Sequence, residues 1–219
     1  MRAAGLNGRE IGTGQIVFII APRINAVGRM GDAQRAVKLL TTEDEAEATQ
    51  IAAVLERENQ NRKDVDEKAF HAAVEKATEL YGDKKPSSIV LYKEGWHTGV
   101  IGIVSSRMVE RYYRPTVLIS IDDGIGKGSA RSIPGFDLYE SLKQCDDLFR
   151  GFGGHKYAAG LTIQEENIPE LVRRFEEIAE SQLTAELLAP KLNIEADIRL
   201  GIIDEKFVSL LKMFAPFGP

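Results

Sequence analysis

From Thr41 to Gly82 the sequence carries one helical pattern, "TTEDEAEATQIAAVLERENQNRKDVDEKAFHAAVEKATELYG". Thr42 and Glu45 have the spacing of a capping box, and Ala48, Ile51, Ala52, Leu55, Val65, Ala69, Ala72 and Ala73 recur at helical intervals. The middle, "RENQNRKDVDE", reads as polar all round. A helix of about 38 residues spans about 57 Å at 1.5 Å per residue, longer than most single domains need. The pattern therefore predicts a connector between two lobes and sets how the rest of the chain divides.

On the N-terminal side, "QIVFIIA" reads as a short strand, "PRINAVGRMGD" as a polar turn, and "AQRAVKLL" as the start of a helix. No partner strand follows for about 60 residues, so this opening is expected to belong to something larger. On the C-terminal side, from Pro86, short apolar runs alternate with amphipathic ones: "SIVLY", "TGVIGIVSSRMVERYY", "PTVLISI", "KGSARSI" and "DLYESLKQCDDLF". Strand and helix alternate, which predicts an α/β fold. "RGFGGHKYAAG" reads as a glycine loop running into the strand "AAGLTI", followed by the helix "IPELVRRFEEIAESQL" and a strand "KLNIEADIRL". A short helix, "EKFVSLLKMF", then runs into "APFGP", where a further domain is expected to follow.

Composition narrows the function classes. A formal net charge of −5 over 219 residues argues against coating nucleic acid by bulk electrostatics, so any such contact must be local. Lys127, Arg131, Arg150, His155 and Lys156 near the glycine clusters are one such local concentration. The single Cys145 rules out a disulfide framework within the chain and any multi-cysteine zinc site, which fits a reducing compartment, with cytoplasm the default. No apolar run approaches the roughly 20 residues of a membrane helix.

Several catalytic signatures are missing. Around Gly126-Lys127 there is no P-loop, since Ile121 stands where its first glycine should be. His71, His97 and His155 lie far apart in the sequence, and no HExxH or paired cysteines occur, so no metal ligands are assigned within this chain. What remains suits an anion. In "GKGSARS", Ser129 and Arg131 fall on one side of a strand by period-two alternation, placing a hydroxyl and a guanidinium toward one phosphate. In "RGFGGHKYAAG", the N–H groups of Gly153 and Gly154 could form an anion nest with His155 as a further donor; the alternative is a glycine-rich turn with a structural histidine. In "PRINAVGR", Arg23, Asn25 and Arg29 crowd one loop, which could equally be a capping loop. In "GWHTGVIGIVSSR", Gly99 and Gly102 suit close helix packing.

In this order and spacing, "PRINAVGRMGD", "GWHTGVIGIVSSRMVERYYRPTVLIS", "GSARSIPGFDLYESL" and "FGGHKYAAGL" resemble the RecJ-type single-strand-specific exonucleases of the DHH phosphoesterase superfamily. The resemblance runs over nearly the whole chain. It implies a remnant of a DHH domain over residues 1–41, a long connector helix over 42–85, a DHHA1 domain with a mixed sheet and flanking helices over 86–200, and over 201–219 the start of a linker to an OB-type domain. It further implies that Gly153, Gly154 and His155 touch the scissile or adjacent phosphate, with His155 the catalytic candidate. Ser129 and Arg131, with Arg23, Asn25 or Arg29, would hold neighbouring phosphates. Catalytic Mn2+ or Mg2+ would belong to upstream motifs absent here, leaving this chain inactive by itself. The implied partner is single-stranded DNA, degraded 5′-to-3′ in repair and recombination, with a helicase or single-strand-binding protein as further partners. Two other functions stay open: a DHH-DHHA1 phosphodiesterase for short oligonucleotides or cyclic dinucleotides, which would share the GGH motif but need neither the long connector nor a following OB domain, and a non-catalytic DHHA1 module for RNA binding or dimerisation; "PRINAVGR" and the connector favour the exonuclease over both.

Overall fold

The computed structural model describes residues 1–8, 10–82 and 84–217. They divide into two compact units, one of Met1–Arg62 with the segment from Lys191 onward, the other Lys63–Pro190.

The first unit is helical. α1 (Thr13–Gln15) passes through a π-helical turn, Ile16–Ile20, into α2 (Ala21–Met30), followed by α3 (Gln34–Thr41) and the first part of α4 (Glu45–Tyr81). This corrects the reading of "QIVFIIA" as a strand and of "PRINAVGRMGD" as a turn. Among the described residues this unit has no strand to pair with, and a helix satisfies the backbone groups of the segment internally. The π turn, closed by Ala21 N–H to the Ile16 carbonyl, falls where Pro22 enters with no N–H of its own. Val27, Ala36 and Leu55 form the buried centre, with Ile24, Leu39 and Ile51 against it.

The cap of α4 also differs from expectation. Asp44, not Thr42, accepts the first free N–H groups, those of Ala46 (2.8 Å) and Glu47 (3.2 Å), while the Thr42 hydroxyl donates to the Glu47 carboxylate (2.6 Å). Nor is the middle of the helix polar all round: Leu55, Asn59, Asp66, Ala69, Ala73 and Ala77 are all buried and recur every three, four or seven residues. One buried stripe therefore runs through the charged stretch, with polar side chains at its centre.

In the second unit, β1 (Ile89–Glu94), α5 (Thr98–Tyr112), β2 (Thr116–Asp122), β3 (Ile125–Arg131), α6 (Leu138–Lys143), β4 (Phe149–His155), β5 (Ala158–Gln164) and α7 (Ile168–Gln182) build a five-stranded sheet with flanking helices. The strand order is β1-β2-β3-β5-β4; β1 and β2 are parallel and every other pair antiparallel. One sheet face supplies Val117, Ile119, Ile121, Ala130, Leu161 and Ile163 to the core that they share with Phe136, Leu142, Leu171 and Phe175. The Phe136 and Phe175 rings meet edge to face at 5.9 Å. Gly126 and Gly128 lie on this face because a Cβ there would come within 2.6 Å of Ile119 and 2.7 Å of Leu161. α7 is tied to the start of β1 by the Glu176 carboxylate, which accepts the N–H groups of Ser87 and Ser88 at 2.7 Å each. "KLNIEADIRL" is not a strand: Lys191–Arg199 has no regular structure, and the compact unit ends at Pro190 rather than near 200. α8 (Glu205–Lys212) follows, capped by Asp204 accepting from Phe207 N–H.

Burial pushes the Cys145 thiol up from 9.0 to about 11, with no residue of its own core offering a compensating charge strong enough to reverse it. The folded pKa is raised, so the contribution to stability is complete below the unfolded value and is lost as pH rises from about 9 through 11. Thiol labelling at pH 8 should be slow until denaturant unfolds the chain, and unfolding free energy should fall over that alkaline window; rapid labelling of the native protein would contradict the buried placement.

Candidate nucleic-acid interface

"RGFGGHKYAAG" is a hairpin rather than a loop. β4 ends at His155, Lys156 and Tyr157 make the turn, and β5 begins at Ala158. The turn is pinned through its carbonyls, Lys156 O accepting from Leu138 N–H (3.0 Å) and Tyr157 O from Ser132 N–H (3.1 Å). Because the backbone of 149–155 is an extended strand, Gly153 and Gly154 do not form a nest. β4 is instead the edge of the sheet, where alternate backbone N–H groups face away from the ladder.

Register decides which side chains meet. Residues paired across strands share a face, and the pairing gives successive rungs Arg131–Ala158–His155, Ser129–Gly160–Gly153 and Lys127–Thr162–Gly151. Ser129, Arg131, Gly153 and His155 therefore lie on one face. Arg131 and His155 are two strands apart, about 10 Å. Gly154, paired with Ala159, is on the opposite face, and its absent side chain answers a steric need. A Cβ there would overlap the Ala158 carbonyl oxygen and come within 2.5 Å of Ala159 Cα. At Gly151 and Gly153 a Cβ would meet nothing within 4 Å, and at Gly160 only the Gly128 carbonyl at 3.8 Å.

α5 covers the β3 side of this face. Gly102 keeps this approach close, since a Cβ would lie a tight 3.0 Å from Ser129 Oγ and 3.2 Å from Arg131 Nη2 and would displace those side chains by a few tenths of an ångström. Ser105 Oγ bonds the carbonyls of Ile101 (2.8 Å) and Ser129 (2.9 Å), fixing helix to strand. At the head of α5, His97 Nδ1 accepts from Gly99 N–H at 3.0 Å, so this histidine is a cap. Arg131 Nη1 donates to Ser129 Oγ at 3.2 Å and to the Ala130 carbonyl at 2.8 Å, which holds the guanidinium beside the hydroxyl. Gly151, Gly153, His155 and Gly160 are exposed. The His155 side chain makes no hydrogen bond or ion pair with any described residue, so among these residues no partner requires an imidazole there.

Arg23, Asn25 and Arg29 belong to the other unit and lie on α2, a helix and not a capping loop. Arg23 is engaged within that unit by the Glu56 carboxylate and the Ile19 carbonyl (2.6 Å), bracing α2 to α4; Asn25 and Arg29 are exposed. Gly160 was not anticipated as part of the site. Counting back from a two-residue turn at Lys156-Tyr157 would have paired it with Gly153, but only once the loop is recognised as a hairpin.

The model of the DHHA1 domain family matches residues 85–181. That stretch is similar to DHHA1 domains. Similarity extends beyond it: the chain is 41% identical over 97% of its length to the single-stranded-DNA-specific exonuclease RecJ of Bacillus subtilis, and 31% identical over its whole length to that of Escherichia coli. It spans 28% and 39% of those proteins. Among solved structures, RecJ of Thermus thermophilus in complex with Mg2+ is matched with a TM-score of 0.74 and 35% identity, over 82% of this chain and 28% of that one. The resemblance to RecJ-type proteins seen in the four motifs therefore holds, and with it the mixed sheet, the flanking helices and the long preceding helix.

The two glycines of the edge strand should behave differently. Gly154→Ala is expected to destabilise the domain by about 1–3 kcal/mol through overpacking against β5, whereas Gly153→Ala should stay within about 0.5 kcal/mol of the parent. Urea unfolding of both variants checks this, and equal effects would contradict the assigned register.

Proposed function

We propose that this chain is the nucleic-acid-gripping part of a longer RecJ-like exonuclease that hydrolyses phosphodiesters of single-stranded DNA 5′-to-3′, in DNA repair and recombination. The observation that supports it most is the convergence of Ser129, Arg131, Gly153 and His155 on one face of the sheet, covered by α5 at β3 and open over β5 and β4, in a chain similar to RecJ over its whole length. In this reading residues 1–41 close a DHH domain, 42–85 connect it to the DHHA1 domain, and 201–219 lead to an OB-type domain.

Chemically, the Arg131 guanidinium and Ser129 hydroxyl hold non-bridging oxygens of one phosphate, and the His155 N–H donates to the scissile or adjacent phosphate as negative charge builds during attack by water. Gly153 carries no side chain that would hold the strand off the sheet. Among the described residues no three His, Cys, Asp or Glu side chains come together to hold a cation. The residues present thus do not fit a metal centre. Mn2+ or Mg2+ is assigned to the upstream domain, no step here is routed through it, and the work of this chain is binding, orientation and charge stabilisation.

In the full-length enzyme, His155→Ala should lower kcat/KM on single-stranded DNA about ten- to 150-fold, the value of a hydrogen bond to a charged group of about 1.5–3 kcal/mol. The melting temperature should not change, because the side chain is exposed and unbonded. A normal kcat/KM would defeat the assignment. The chain by itself should show no nuclease activity with manganese or magnesium; activity that follows the protein peak through repurification would show that a catalytic centre lies within it.

A further inference from the structure

The open face continues past the four residues named so far. On β3, Lys127 follows Ser129 and Arg131 at period two and shares their face, and its rung is completed by Thr162 and Gly151. Arg131 and Lys127 are four residues apart along the strand, about 13–14 Å. Between them the floor on β5 and β4 is Gly160 and Gly153, then Gly151, positions where an added Cβ would meet no side chain. The result is a shallow trough, walled by α5 on one side and open at the sheet edge, with a cation at each end.

The Lys127 side chain contrasts with the paired arginines of the domain, as do other exposed lysines such as Lys93; what sets Lys127 apart is its place on the open face. Arg107 pairs with Asp66 and Glu67, Arg173 with Glu170 and Glu177, and Arg174 with Asp147 and Glu170. The Lys127 side chain is exposed and makes no hydrogen bond or ion pair with any described residue. The Lys127 end of the trough also lies level with the head of α5: Ser120, paired with Lys127, bonds through its hydroxyl to the Trp96 carbonyl, one residue before the cap at His97. The positive end of that helix dipole favours anions at this end. One rung further on, Asp122–Ile125–Gln164 brings a carboxylate, and the cationic run stops.

We infer that Lys127 is a second backbone-phosphate contact, and that the glycine-floored trough from Arg131 and His155 to Lys127 carries the sugar–phosphate backbone of the strand beyond the phosphate held by Ser129 and Arg131. This rests on the reading that Ser129, Arg131 and His155 grip a phosphate, and it adds the direction and extent of the track. The Thr162 hydroxyl, half-buried in the Lys127 rung, faces the same path.

The test uses the full-length enzyme with a single-stranded 20-mer and with a dinucleotide, over a range of salt concentrations. Lys127→Gln should weaken kcat/KM on the 20-mer about tenfold and reduce the slope of log affinity against log salt by about 0.7, one phosphate contact on a single strand. The defect should shrink on the dinucleotide, which is too short to reach Lys127, and Lys127→Arg should restore the 20-mer. Arg131→Gln should impair both substrates. If Lys127→Gln leaves the 20-mer and its salt slope unchanged while Arg131→Gln impairs both substrates, the track is wrong and the phosphate grip stands. Equal losses on 20-mer and dinucleotide would also overturn the track. If Arg131→Gln affects neither substrate, the grip itself fails and the track with it.

Discussion

The approach of α5 to β3 at Gly102 is the constraint on which the rest of the face depends. A side chain there would push against Ser129 and Arg131, and the Ser105 hydroxyl, bonded to the Ser129 carbonyl, leaves the helix no freedom to withdraw. Helix cover therefore ends over β3. β5 and β4 lie beyond it, and that half of the face is left with glycine, alanine, threonine and histidine. The Ser129–Arg131 pair sits at the boundary, half-buried under the helix and half-open to the sheet. Its bonds to Ser129 Oγ and the Ala130 carbonyl hold the Arg131 guanidinium in place, and in the proposed reading such orientation before the ligand arrives lowers the cost of binding.

Glycines in the hairpin have different causes. Gly154 is demanded by the fold, because β4 and β5 approach too closely there for a Cβ; Gly151 and Gly153 are not. In an edge strand, glycine without a steric reason costs conformational entropy. Gly153, lying between His155 and the open rungs, thus has no steric reason in the fold, unlike Gly154, although both belong to one short sequence run; in the proposed reading it leaves room for the strand.

Most of the sheet could be read from the chain. The alternation of "SIVLY", "PTVLISI" and the amphipathic stretch between them forms β1, α5 and β2 where expected, because there the apolar period and the tertiary partner agree. Period two also placed Ser129 and Arg131 correctly on one side. The pattern misleads where partners decide: among the described residues "QIVFIIA" has no strand beside it in its unit, and "KLNIEADIRL" alternates but joins no sheet. "GFGGH" looked like a loop because glycine is a poor strand former, and only the two-residue turn and its register show it to be an edge. The buried Asn59 and Asp66 were hidden for a similar reason, since a polar residue gives no sequence signal of lying on the inward stripe of a helix.

A floor of Gly151, Gly153 and Gly160 also lacks something. Telling one nucleobase from another takes side-chain donors and acceptors aimed at base edges, and these positions have no side chain at all. In the proposed reading, a strand lying along them would meet backbone alone at these three positions, and any reading of its bases would fall to the side chains around the floor.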